Sequence, residues 1–133
     1  MRINIEQCQI PINPEFAAIL EQAVAESSVS GSNGVIINFR DPGYSAEAGG
    51  FHPVEVMVDG GGGLVYVTDF SYMGAPPFAE LVKELDFDFE NMFFGHLGRD
   101  YPIENGRELF LLFQKNFVAF HAMSVYRTKV TPC

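Results

Sequence analysis

The stretch FRDPGYSAEAGGFHPVE, residues 39–55, gathers the side chains best suited to chemistry: Arg40, Asp41, Tyr44, Glu47, His52 and Glu55, set among glycines. An arginine can hold a carboxylate through two parallel hydrogen bonds. A carboxylate whose proton affinity is shifted by burial or by a second acid can serve in acid–base work, and so can a histidine. Arg40, Asp41, Tyr44, Glu47 and His52 are therefore the candidate ligand-binding residues. A structural role competes with that reading. Asp41-Pro42-Gly43 has the composition of a turn. Arg40, at the end of a strand pattern, would then hold Glu47 or Glu55 and pin the loop over a sheet. His52 and Glu55 are three apart, which on a strand puts them on opposite faces and makes them a poor acid–base pair.

Other chemistry is sparse. The three histidines, His52, His96 and His121, have no metal-binding spacing. A metal site would have to be assembled from distant pieces, such as His52 with Asp41 or Glu47, so no metal or cofactor is expected. Ser45, Ser71 and Ser124 lack the G-x-S-x-G elbow of a nucleophilic serine. Cys8 has no histidine near it in sequence, and no dinucleotide, P-loop or EF-hand pattern occurs. The glycines at 60–63 are followed at once by strand pattern, which makes them a turn and not a phosphate cradle. The residues thus point away from an enzyme and bring no catalytic residue forward. A second candidate surface is DFDFE: Asp86, Asp88 and Glu90 alternate with Phe87 and Phe89. Like charges repel across a strand face, so these acids should face water, where they could dock a basic protein.

The bulk properties narrow the partners. Eight Lys and Arg stand against 17 Asp and Glu, a net charge of −9. Such a surface repels phosphate backbones and so excludes non-specific nucleic-acid binding. No apolar run approaches the roughly 20 residues that span a bilayer, and the first residues lack the pattern of a signal peptide. A cytoplasmic protein with no membrane partner follows as the default expectation. Cys8 and Cys133 are too far apart in sequence to form a redox or zinc motif.

The elements that must position these groups read as follows. Residues 1–12 alternate weakly, as an edge strand. Asn13-Pro14 opens a helix over 14–29 with Phe16, Ile19, Leu20, Ala23 and Val24 on one face. Residues 35–39, VIINF, form a strand, residues 41–51 a loop. Strands at 54–58 and 64–73 form a hairpin around the glycine turn. Residues 76–85 show Phe78, Leu81, Val82 and Leu85 at helical spacing, or are an extended lead into a strand over 86–94. Residues 95–106 are loop. Asn105 and Glu108 have capping-box spacing before a helix bearing Leu109, Leu112, Phe113, Phe117 and Phe120, a stripe broad enough to be more buried than the first helix. That apolar excess is either core or a subunit interface, which leaves a homo-oligomer open. Residues 123–130 extend the helix or form a last strand, the β-branched residues favouring the strand. One domain over residues 1–133 follows, of the α+β class: an antiparallel twisted sheet packed by N-terminal and C-terminal helices.

The stretches NFRDPGYSAEAGGFHPVEV (38–56), VTDFSYMG (67–74), ELVKELDFDFE (80–90) and YPIENGRELFLLFQKNFVAFHAMSVY (101–126) resemble a family of small uncharacterised bacterial proteins. The family is common in Vibrio and related gammaproteobacteria and is linked to mobile elements and pathogenicity islands. It is similar in fold to the acidic mitochondrial protein p32, which binds complement C1q and many other partners. The resemblance implies a p32-like fold and a non-catalytic role in protein binding, and it supplies no catalytic residues.

Overall fold

A computed structural model describes residues 1–133. The first helix, α1, runs Pro14–Glu26. Asn13 starts it: its Oδ1 accepts the N–H groups of Glu15 at 2.8 Å and Phe16 at 3.4 Å, which would otherwise lack partners. Phe16, Ala17, Leu20 and Val24 form its buried face. The helix stops three residues short of the expected end because Ser27 is extended and donates its hydroxyl to the Val24 carbonyl at 2.7 Å.

Seven strands follow: β1 Val35–Arg40, β2 Val54–Val58, β3 Leu64–Met73, β4 Glu80–Asp88, β5 Phe93–His96, β6 Arg99–Pro102 and, after the second helix, β7 Arg127–Pro132. They form one antiparallel sheet in the order β6-β5-β4-β3-β2-β1-β7. The second helix, α2, spans Arg107–Ala122 after a 3-10 turn at Ile103–Gly106. Val35, Ile37, Phe39, Val54, Val56, Val58, Val67 and Phe87 point to one face, and the two helices cover it. The α+β class, the antiparallel sheet and the flanking helices are as the sequence predicts.

Several local expectations are corrected. Residues 1–12 form no strand; the edge they would pair with is taken by β7, which resolves 123–130 in favour of a strand. They cross the molecule irregularly and bury Ile3, Ile10 and Ile12. They lie against the glycine turn, whose Gly62 (φ 88°) would drive any side chain into the Arg2 carbonyl. Residues 80–88 are strand, which decides 76–85 for the extended alternative; the strand expected over 86–94 is broken by a turn after Asp88, and the expected loop at 95–106 contains most of the β5–β6 hairpin and the 3-10 turn. The capping box does not form, since Gly106 holds the cap position with no side-chain bond. Nor is α2 the more buried helix: its buried line is Phe110, Gln114 and Phe117, while Leu111 and Leu112 stay 41% and 51% exposed.

Gln114 is a polar residue in that buried line. Its amide accepts from the Asn13 N–H at 2.6 Å and donates to the Pro11 carbonyl at 3.0 Å, tying α2 to the entry of α1. Gln114→Ala strands both backbone groups and should cost about 2–3 kcal/mol in denaturant unfolding. A loss below about 0.5 kcal/mol would show that this tie is dispensable.

Candidate functional site

The site begins at the start of β2. Asp41 pins the loop before it, accepting the N–H groups of Gly43 at 2.8 Å and Phe51 at 3.0 Å. Phe51 then packs on Phe120, ring centres 4.8 Å apart. Pro53 joins the sheet through its carbonyl, which accepts from Phe70 at 3.0 Å. His52 is thereby fixed beside β3.

On β3 the core-facing positions run Val67, Asp69, Ser71, so an acid falls where an apolar residue would be ordinary. Asp69 is only 8% exposed. Its Oδ1 takes the N–H of Leu85 at 3.0 Å. At this point β4 carries a bulge: Asp69 pairs with Leu85 and Phe70 with Lys83, leaving Glu84 without a partner. Bulges re-aim side chains, and here the Glu84 carboxylate comes within 3.2 Å of His52 Nδ1, which also lies 3.3 Å from Asp69 Oδ2. Burial pushes the Asp69 carboxyl above the usual carboxylate range, against the hydrogen bonds of His52 and Leu85 that lower it.

His52 and Asp69 form the polar end of a cleft of about 380 Å³ between α2 and the sheet. Leu109, Leu112, Phe113, Phe117 and Phe120 of α2 supply one wall, and Val54 and Leu85 the sheet side. The cleft can take an apolar body, and its polar end can take a cation or a hydrogen-bond donor. The contacts of His52 Nδ1 are to the carboxylates of Asp69 and Glu84.

The loop residues singled out from the sequence divide. His52 reaches the cleft. Tyr44 packs on it at 5.4 Å between ring centres and accepts the Tyr72 N–H through its hydroxyl at 3.0 Å. Arg40, Asp41 and Tyr44 line a separate hollow with Glu55. Arg40 is exposed and forms no ion pair, so the expected pinning by Glu47 or Glu55 is not made; Asp41 does that work. Glu55 instead accepts the Tyr66 hydroxyl at 2.6 Å. Glu47 is exposed at the tip of the loop. The acids beside His52 are not Asp41 or Glu47, the examples the sequence offered, but Asp69 and Glu84, more distant in sequence. The acidic run does not form one stripe. Asp86 accepts the Thr68 hydroxyl at 2.7 Å, Asp88 caps the following turn through the N–H of Asn91 at 2.8 Å, and Glu90 lies within that turn, exposed. No helix is long and apolar enough to cross a membrane.

The pattern of a family described as a protein of unknown function, DUF2787, matches residues 14–131. A hypothetical protein from the VSP-II pathogenicity island of Vibrio cholerae is similar at 33% identity and TM-score 0.79, over 96% of this chain and 99% of that one. A conserved hypothetical protein from the Vibrio cholerae pathogenicity island VPI-2, described as sharing structural homology with the human P32 protein, is similar at 36% identity and TM-score 0.80, over 95% of this chain and 98% of that one. Among curated proteins, none matches.

Tyr126 closes the cleft near Phe51 and Phe117. Burial, with the nearby charges of Asp69 and Asp41, pushes its phenol up to about 12 from 10.0. The folded protein therefore holds this proton more tightly than the unfolded chain. The resulting stability is fully present below pH 10 and lost as pH rises through about 12. Tyr126→Phe should make stability fall less steeply between those values, with no change of slope below them, as read from urea midpoints. Equal slopes for both proteins would refute the assignment.

Proposed function

The chain belongs to the DUF2787 family, and from that premise we propose that it is a non-catalytic protein-binding protein whose α2 cleft receives a large apolar side chain of a partner carrying basic residues nearby. The observation that carries this reading is the cleft itself, an apolar surface that neither the sheet nor the helices cover. Apolar anchors seated in such pockets dominate protein interfaces. The net charge of −9 supplies the preference for a basic partner. The fold kinship with p32 supports binding over catalysis. The acids Asp86, Asp88 and Glu90 carry less of the reading, because the first two are already engaged within the sheet and the turn. Both cysteines are unpaired, which suits a cytoplasmic setting. A second reading, a small-ligand site, is favoured by His52 and Asp69 at the polar end of the same cleft.

A random-peptide display selection separates the two. Enriched peptides should combine one large apolar residue with Lys or Arg, and should lose affinity as salt rises. Leu112→Asp, at a half-exposed position, should weaken them about tenfold or more. Failure to enrich any peptide, or binding indifferent to Leu112→Asp, would overturn the proposal. A neutral environment-sensitive dye that enters the cleft in that case would establish the small-ligand reading.

A further inference from the structure

We propose that His52, Asp69 and Glu84 form a site for one divalent transition-metal ion, with zinc the best match. Each offers one ligand atom, and the three atoms lie within 4.8 Å of one another. Zinc bound tetrahedrally at about 2.0–2.1 Å by nitrogen and oxygen sets neighbouring ligands about 3.3 Å apart. The two separations from His52 Nδ1 are 3.3 Å to Asp69 and 3.2 Å to Glu84. Both separations that involve the imidazole thus already match an edge of a zinc tetrahedron, and the two carboxylate oxygens lie within 4.8 Å of each other.

Hydrogen bonding alone explains the arrangement less well. A ring nitrogen carries at most one proton, yet Nδ1 faces two carboxylates at once. Both separations exceed the roughly 2.7–2.9 Å of a charge-assisted N–H···O bond. The carboxylates meanwhile share a recess in which their side chains are 11% and 30% exposed. A dication between them would offset both charges and bond to all three atoms.

The frame is built independently of any ion. The ligands come from the lead into β2, from β3 and from the bulge of β4, so sheet register and not loop adjacency sets their spacing. Asp69 is oriented through its second oxygen by the Leu85 N–H, the kind of outer bond that orients metal ligands. One imidazole and two carboxylates suit zinc and similar divalent ions, whereas calcium and magnesium favour oxygen alone. Three protein ligands leave a position for water or for a donor atom entering the cleft. The assignment does not depend on what protein or ligand the cleft takes.

The test is titration of the metal-depleted full chain with zinc chloride, followed by isothermal calorimetry and by the thermal midpoint. One zinc per chain should bind and raise the midpoint. His52→Ala and Glu84→Gln, both at partly exposed positions, should each weaken zinc by about tenfold or more while keeping the fold by circular dichroism. The Cys8→Ser/Cys133→Ser double variant and His96→Ala should bind as the parent does. Leu112→Asp should also keep zinc, which separates this site from the peptide-binding reading. No uptake, uptake unchanged in both ligand variants, or uptake lost with the cysteines would overturn the site.

Discussion

The structure depends on how two helices are held over a sheet too wide for them. Seven strands at roughly 4.8 Å spacing span about 30 Å, whereas two helices side by side cover about 20 Å. Phenylalanine decides where the cover lies. Phe16 of α1 meets Phe110, Phe113 and Phe117 of α2 edge-on, at 6.4, 6.3 and 5.4 Å between ring centres. Phe117 then reaches Phe39 on β1 at 4.9 Å, and Phe110 reaches Phe87 on β4 at 4.7 Å. Each such pair adds about 0.5–1.5 kcal/mol beyond area burial, and together they clamp the helix pair to β1 and β4. What the clamp leaves uncovered is the cleft beside Leu109, Leu112 and Phe120. Core and candidate site are thus two sides of one allocation of aromatic residues.

The sequence is legible wherever a single period runs unbroken. VIINF and VEVMV alternate and are strands; Asn13-Pro14 and the residues after it obey helical spacing and are a helix. Legibility fails at β4 for one physical reason. Its inward-facing residues are Val82, opposite Ser71, then Leu85 and Phe87, because the bulge at Glu84 inserts a residue. The apolar spacing becomes three and then two, and the first of these mimics a helix. Residues 93–102 fail for another reason: each strand has four residues, too few to display a period. The second helix is legible as a helix but not in its orientation, since Leu109, Phe110, Leu111, Leu112 and Phe113 are all apolar and only Gln114, bonded on both sides, marks the inward line.

The candidate site was half legible for the same reason. His52 stands out by type, but its partners Asp69 and Glu84 lie 17 and 32 residues further along, and they meet only through strand register and the bulge. Asp69 did leave a trace, an acid in step with Val67 on a strand that otherwise buries that face. Crowding in one loop does not bring the five side chains to one cleft: His52 lines the cleft under α2, while Arg40, Asp41 and Tyr44 line a separate hollow. Asp41 uses its carboxylate to shape the loop, Glu47 is exposed, and Arg40 forms no ion pair.

Packing alone does not call for charge at Asp69. An asparagine would have nearly the same shape and could accept the same Leu85 N–H through its carbonyl. The carboxylate instead loses hydration on burial and lies beside a second acid, and burial is the larger of the effects on its proton. Its compensation comes from outside β3, from a histidine delivered by a loop and from an N–H set at a bulge. A buried carboxyl group whose support is assembled from three separated stretches places a demand on the fold that core packing does not explain. The demand is met at the mouth of a cleft that is otherwise apolar, where a polar group has the largest influence on what enters and how it is oriented.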